Sequence, residues 1–91
     1  MALRWTKQAH NDLVRIHEFL QPVDPAAAAR LVRAIVARVR RIPAHPRLGQ
    51  SLAAFSPREV RRIVIGNYEI RYELDKQDVI VLRLFHARED R

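Results

Sequence analysis

The chain has 91 residues, no cysteine and a formal net charge of +7, and about half of its residues are apolar. That length holds one small core, so residues 1–91 are expected to form a single domain. Without cysteine there is no disulfide, thiolate ligand or thiol nucleophile, and no run approaches the ~18 apolar residues of a membrane span; a soluble, cytoplasmic protein without a membrane partner is the expectation.

The positive charge is unevenly placed. Residues 1–58 hold ten basic and three acidic side chains, whereas residues 59–91 hold seven of each. The excess lies in the N-terminal part and favours an acidic partner or nucleic acid.

In chain order, "ALRWT" at 2–6 reads as a short strand with Leu3 and Trp5 on one face. The period then changes. Ala9, Leu13, Ile16 and Leu20 recur at steps of four, three and four, which predicts a helix that Pro22 ends. A second helix follows over 24–42. Asp24 is placed to cap it, Pro25 occupies its first turn, and four alanines raise its helix propensity. Its apolar arc is Ala28, Leu31, Val32, Ile35, Val39 and Ile42. Arg30, Arg33, Arg40 and Arg41 lie opposite, with Arg38 at the border. Two helices joined by a few residues form an antiparallel hairpin.

Residues 43–59 read as irregular, punctuated by Pro46, Gly49 and Pro57, with Leu48, Leu52 and Phe55 tucked against the core. Period two then takes over in "VRRIVIGNYEIRYELDKQDVIVLRLF", a three-stranded antiparallel meander with a tight turn at "GN" and a wider one at "DKQD". The fold class is therefore α+β, in two layers. Ile63, Ile65, Tyr68, Ile70, Tyr72, Leu74, Ile80, Leu82 and Leu84 are expected to face the helices. Arg62, Val64, Glu69, Arg71, Glu73, Val79, Val81, Arg83 and Phe85 should line the far face. That face is half apolar, which suits a surface covered by a partner.

Few residues carry chemistry. His10, His17, His45 and His86 show no metal-ligand spacing, and Ser51 and Ser56 sit in no nucleophile motif. Neither a metal nor a cofactor is expected. RNA cleavage needs less, because a 2′-hydroxyl attacks its own phosphate once a proton acceptor and cations are in place. Arg62, Arg71 and Arg83 share the far face by parity, and for each arginine alone salt bridging to Glu69 and Glu73 is the favoured explanation. Arg61, with core parity at a strand start, is expected to reach past the edge or contact the loop. His86 falls on the core side by simple alternation. A bulge or twist would turn it, so it reads either as a strand end or as a functional group.

The ordered set "LRWTKQAHNDLVRIHEFL", "DPAAAARLVRAI", "HPRLGQ", "VRRIVIGNYEIRYEL" and "VIVLRLFHARED" resembles the RelE/ParE superfamily of bacterial toxins, and within it the ParE, plasmid-stabilisation branch. The resemblance implies the same strand, helix hairpin and meander. It also implies an antitoxin partner, often in a heterotetramer. Arg61 matches the arginine that opens the second strand in both branches, Arg83 that of the last strand, and His86 and Arg88 the "H-x-R-x-D" ending common in the ParE branch. RNA-cutting members commonly carry a C-terminal tyrosine where this chain has Ala87. The expected function is thus the toxin of a type II toxin–antitoxin module that inhibits DNA gyrase. A ribosome-dependent mRNA endonuclease using Arg61, Arg83 and His86 is the alternative, and a non-toxic protein-binding module is a third reading. The expected target or partner surface is Arg62, Arg71, Val81, Arg83, Phe85, His86 and Arg88, and the expected antitoxin groove is Leu13, Leu20 and Arg38.

Overall fold

The computed structural model describes residues 1–88. Strand β1 (Ala2–Trp5) leads into helix α1 (Lys7–Leu20) and helix α2 (Pro25–Arg40). Strand β2 (Gln50–Ser51) is flanked by two single turns of 3₁₀ helix, Ile42–Ala44 and Ala53–Phe55. Strands β3 (Glu59–Ile65), β4 (Tyr68–Asp75) and β5 (Asp78–His86) complete the chain. The five strands form one sheet in the order β1-β5-β4-β3-β2, with β1 parallel to β5 and the other pairs antiparallel. The α+β hairpin-and-meander architecture is as the sequence predicts, and β2 is an addition to it. Two residues carry no period, so nothing in the sequence marked them.

Local chemistry explains the helix ends. The Thr6 hydroxyl accepts a hydrogen bond from Ala9 N–H at 3.0 Å, and the Asp24 carboxylate accepts one from Ala27 N–H at 3.0 Å, so each satisfies a donor that the first turn leaves open. Pro25 at the first position of α2 lacks only a donor that would have no intrahelical partner. Both helices bury the expected stripe, with Ala9 and Ile16 from α1 and Ala28, Ile35 and Val39 from α2.

The β3–β4 turn is Gly66–Asn67, with Gly66 at φ +57°, where a side chain would be strained. The β4–β5 turn corrects the expected wide loop. Asp75 pairs with Asp78, so only Lys76 and Gln77 connect the strands, and Lys76 takes φ +56°.

The main correction concerns β5. Arg71 pairs with Arg83, but its neighbour Tyr72 pairs with Val81, so Leu82 is an extra residue, a β-bulge. Before the bulge the parity is reversed. Val79 and Val81, expected on the far face, are wholly buried in the helix-side core with Leu3 and Trp5 of β1 packed beside them. Ile80, expected in the core, pairs with Glu73 of the far face. Beyond the bulge Leu84 faces the core as predicted. Leu48 is likewise corrected, being 67% exposed rather than tucked in.

The bulge is held by the start of α1. Thr6 N–H donates to Val81 O at 3.0 Å and the Thr6 hydroxyl donates to Leu82 O at 3.0 Å while capping α1. Replacing Thr6 with valine keeps the side-chain shape and deletes both hydroxyl bonds. We expect a loss of about 1–2 kcal/mol in urea unfolding, with Thr6→Ser retaining most of it.

Candidate functional site

The far face carries the predicted row of arginines. Arg62 pairs in register with Arg71, and Arg71 with Arg83, across β3, β4 and β5. Each guanidinium has a carboxylate partner. Glu69, only 2% exposed, accepts from Arg62 Nη1 at 3.3 Å and from Arg71 Nη2 at 2.9 Å. Arg62 Nε also donates to Gln50 Oε1 at 3.0 Å. Arg71 lies between two aromatic rings, 5.2 Å from the centre of Phe55 and 5.1 Å from that of Phe85, a double cation–π contact. Here the half-apolar face of the sequence is corrected. Val60 and Phe85 are buried, and the turn at Ala53–Phe55 lies over this end of the sheet. Of the residues expected to meet a partner, Val81 is in the core and Phe85 is 4% exposed, whereas Arg62 and Arg83 keep 37% and 40% of their side chains exposed.

Arg83 reaches a group that the sequence reading did not single out. Its Nε donates to Asp12 Oδ2 at 2.8 Å and its Nη2 contacts Asp12 Oδ1 at 3.4 Å. The same carboxylate accepts Leu84 N–H at 2.9 Å and contacts Arg15 Nη2 at 3.4 Å. Asp12 is 5% exposed. Its signal was present, because it stands beside Leu13 within the span between Ala9 and Ile16, and a carboxylate in an apolar stripe needs a partner.

Arg61 contacts the loop, as its position suggested. Its Nη1 donates to Gly49 O at 2.7 Å and Arg47 O at 3.2 Å, and its Nε to Glu59 Oε2 at 3.0 Å. Hydrogen bonds from Arg47 first and Arg61 second hold the Glu59 carboxyl below the usual carboxylate range. The neighbouring Tyr72 hydroxyl donates to Pro46 O at 2.7 Å and accepts Gly49 N–H at 3.1 Å, and burial pushes the phenol up.

His86 follows simple alternation onto the helix side. It pairs with Tyr68, the two rings meeting edge to face at 5.2 Å, and its Nδ1 accepts the Arg88 N–H at 3.1 Å. In the neutral ring the proton then sits on Nε2. Tyr68, His86 and Arg88 join Arg15, Ile16 and Phe19 around an open groove of about 600 Å³. Phe19 is 77% exposed. The Asp90 of the "H-x-R-x-D" ending lies outside the described residues. Arg38 borders a separate, smaller groove with Arg41, Ile42, His45, Leu48, Ile63 and Tyr72. Leu13 and Leu20 pack partly buried against the core and line neither groove. Among the described residues no cluster of histidine and acidic side chains has the arrangement of a metal site, and no helix is long and apolar enough to cross a membrane.

Two residues of the nuclease alternative, Arg61 and His86, are spread apart. Arg61 pairs with Tyr72 and His86 with Tyr68, four residues away along β4, or about 13 Å. Arg83 leaves β5 in register with Arg71 on the other face, and its guanidinium turns to Asp12 of α1.

With this geometry in place, the match to known proteins is specific. The model of the ParE toxin of the type II toxin–antitoxin system, parDE, matches residues 3–91, and the chain belongs to that family. Among solved structures it is similar to the chromosomal ParDE TA system from P. aeruginosa, with a TM-score of 0.80 and 22% identity over 94% of this chain and 95% of that one. No curated protein matches the sequence. The fold is shared almost from end to end although most side chains differ.

Asp12→Ala strips partners from Arg83 and from the buried Leu84 N–H together. We expect roughly 3 kcal/mol of destabilisation in chemical unfolding, with Asp12→Asn losing less because its amide oxygen still accepts the Leu84 N–H.

Proposed function

We propose that this ParE-family chain acts as a toxin on DNA gyrase and is neutralised by a cognate antitoxin, in a heterotetramer. The observation that carries the choice of target is that Arg61 stands about 13 Å of strand from His86 while Arg83 is engaged by a buried carboxylate. Proton transfer and phosphorane stabilisation require groups converging within a few ångströms of one phosphate. Here Arg61 binds loop carbonyls at a position about four residues of strand from that of His86, and the Arg83 guanidinium is engaged by Asp12. A protein that poisons an enzyme by docking needs no such convergence, only a complementary surface.

The groove around Phe19 supports the antitoxin half of the reading. Ile16, Phe19 and Tyr68 give it apolar lining, and Arg15, His86 and Arg88 give it polar lining. An apolar side chain flanked by carboxylates, presented by an extended or helical segment, matches that arrangement. Arg38, beside the second groove, offers a further cationic contact to the same wrapping segment.

Two measurements test these assignments. Incubated with gyrase and plasmid DNA, the purified chain should inhibit supercoiling and accumulate cleaved DNA. With ribosomes and message it should leave the RNA intact. RNA cleavage without any effect on gyrase would overturn the reading. Because Phe19 is exposed, Phe19→Glu should keep the fold and weaken antitoxin binding tenfold or more, about 1.4 kcal/mol, as titration calorimetry measures. Unchanged affinity would remove this groove from the interface.

A further inference from the structure

The arginines divide into two populations. Those of the sheet and its loops, including Arg47, Arg58, Arg61, Arg62, Arg71 and Arg83, each face a carboxylate. Those of α2 and its C-cap do not. Among the described residues, Arg30, Arg33, Arg40 and Arg41 enter no ion pair and no side-chain hydrogen bond, and Pro25–Arg40 contains no acidic residue. All four are exposed.

At about 100° per residue these four side chains fall within an arc of about 100°, opposite Ala28, Ile35 and Val39 in the core. Between them stand only Ala26 and Ala37, so the stripe is cationic and low in relief. None of the large exposed hydrophobic residues lies on α2. A protein interface of useful affinity is anchored by buried aromatic or aliphatic side chains, and this face has none to offer. Unpaired bases call for aromatic stacking platforms, also absent here. What remains is a regular polyanion, for which guanidinium forks are the fitting donor.

The spacing narrows the choice further. Arg30 with Arg33 and Arg40 with Arg41 form two pairs whose centres lie about 13 Å apart along the helix axis, close to the ~12 Å width of the DNA major groove. We infer that the outer face of α2 binds the phosphodiester backbone of double-stranded DNA, its two arginine pairs meeting phosphates on either side of the major groove without reading sequence. The choice of DNA over duplex RNA rests on the gyrase reading; the stripe's preference for a duplex backbone does not.

The test is fluorescence anisotropy of a labelled DNA duplex titrated with the purified chain over a range of salt, with no gyrase present, so its failure leaves the gyrase assignment standing. Two variants remove three charges each: Arg30→Ala, Arg33→Ala and Arg40→Ala on the stripe, and Arg4→Ala, Lys7→Ala and Lys76→Asn away from it. Alanine favours helix, and circular dichroism checks that both variants fold. The stripe variant should lose at least about tenfold in affinity at ~100 mM salt, and its log–log salt slope should fall by about 2–3. The control should change less than about threefold. Equal losses in both variants would mean only diffuse attraction and would overturn the proposal. So would absence of duplex binding by the unaltered chain, or tighter binding of single-stranded RNA or of duplex RNA than of the DNA duplex.

Discussion

The edge of β5 is the point on which this fold turns. β1 covers that edge only as far as Val81, opposite Trp5. Beyond it, backbone groups of Leu82 and Leu84 would face no strand, and an unpaired buried amide or carbonyl costs about as much as a lost hydrogen bond. The segment that turns β1 into α1 supplies the missing partners. Thr6 takes the Val81 and Leu82 carbonyls, and Asp12, nearly two turns on, takes the Leu84 amide. One strand is thus completed first by a strand, then by a hydroxyl, then by a carboxylate on a helix. Asp12 sits at this edge because the Arg83 guanidinium and the Leu84 amide together offset the removal of its charge from water.

That arrangement also explains which parts of the fold were legible. The helices announced themselves through their stripes and prolines, and the meander through its alternation, because in each a single phase fits the apolar residues. Val79, Ile80, Val81 and Leu82 are all apolar, so either phase buries a greasy row and alternation counted back from Leu84 selects the wrong one. The bulge that resets the phase depends on Thr6, more than seventy residues away. Similarly, no glycine marked the Lys76–Gln77 turn, because the short register between Asp75 and Asp78 imposes φ +56° on an ordinary lysine. The site was legible to a different degree. The arginine row and the loop contact of Arg61 could be read from parity, but the carboxylate each guanidinium would choose could not. Phe19 lies off the predicted stripe, which marks it as exposed, but that Tyr68 and His86 would share its groove followed from no period.

Charge placement follows the same logic. In the sheet half, acidic and basic residues balance, and its carboxylates pair both with arginines of that half and with Arg47 and Arg58 of the preceding loop. Glu69 is buried between Arg62 and Arg71, Glu73 is bonded by Arg58, and Glu59 by Arg47 and Arg61. The more exposed of these pairs, Arg58–Glu73 and Arg47–Glu59, contribute little to stability, so their main consequence is to leave those guanidiniums less free for an outside anion. The excess of the N-terminal half has no such outlet on α2, where a helix without acidic residues presents its arginines to solvent. Net charge places the whole excess in residues 1–58; within that excess only the pairing among the described residues distinguishes structural cations such as Arg47 and Arg58 from the unpaired ones of α2.

The far face shows the cost of burying a carboxylate and how it is met. Glu69 is almost sealed from water, which is tolerable because two guanidiniums donate to it and one of them is itself held between Phe55 and Phe85. Those rings belong to different parts of the chain, so the two contacts fasten the turn at Ala53–Phe55 onto the sheet and cover part of the far face, with Val64 left 52% exposed. The larger groove lies on the other side of the sheet, where α1 overhangs the finish of β5. Phe19, Tyr68 and His86 meet there because β5 runs on past its bulge to pair His86 with Tyr68. The same register that carries Arg83 to Asp12 therefore sets the position of the groove, so a change that slips β5 by one residue would dissolve the latch and the docking surface together.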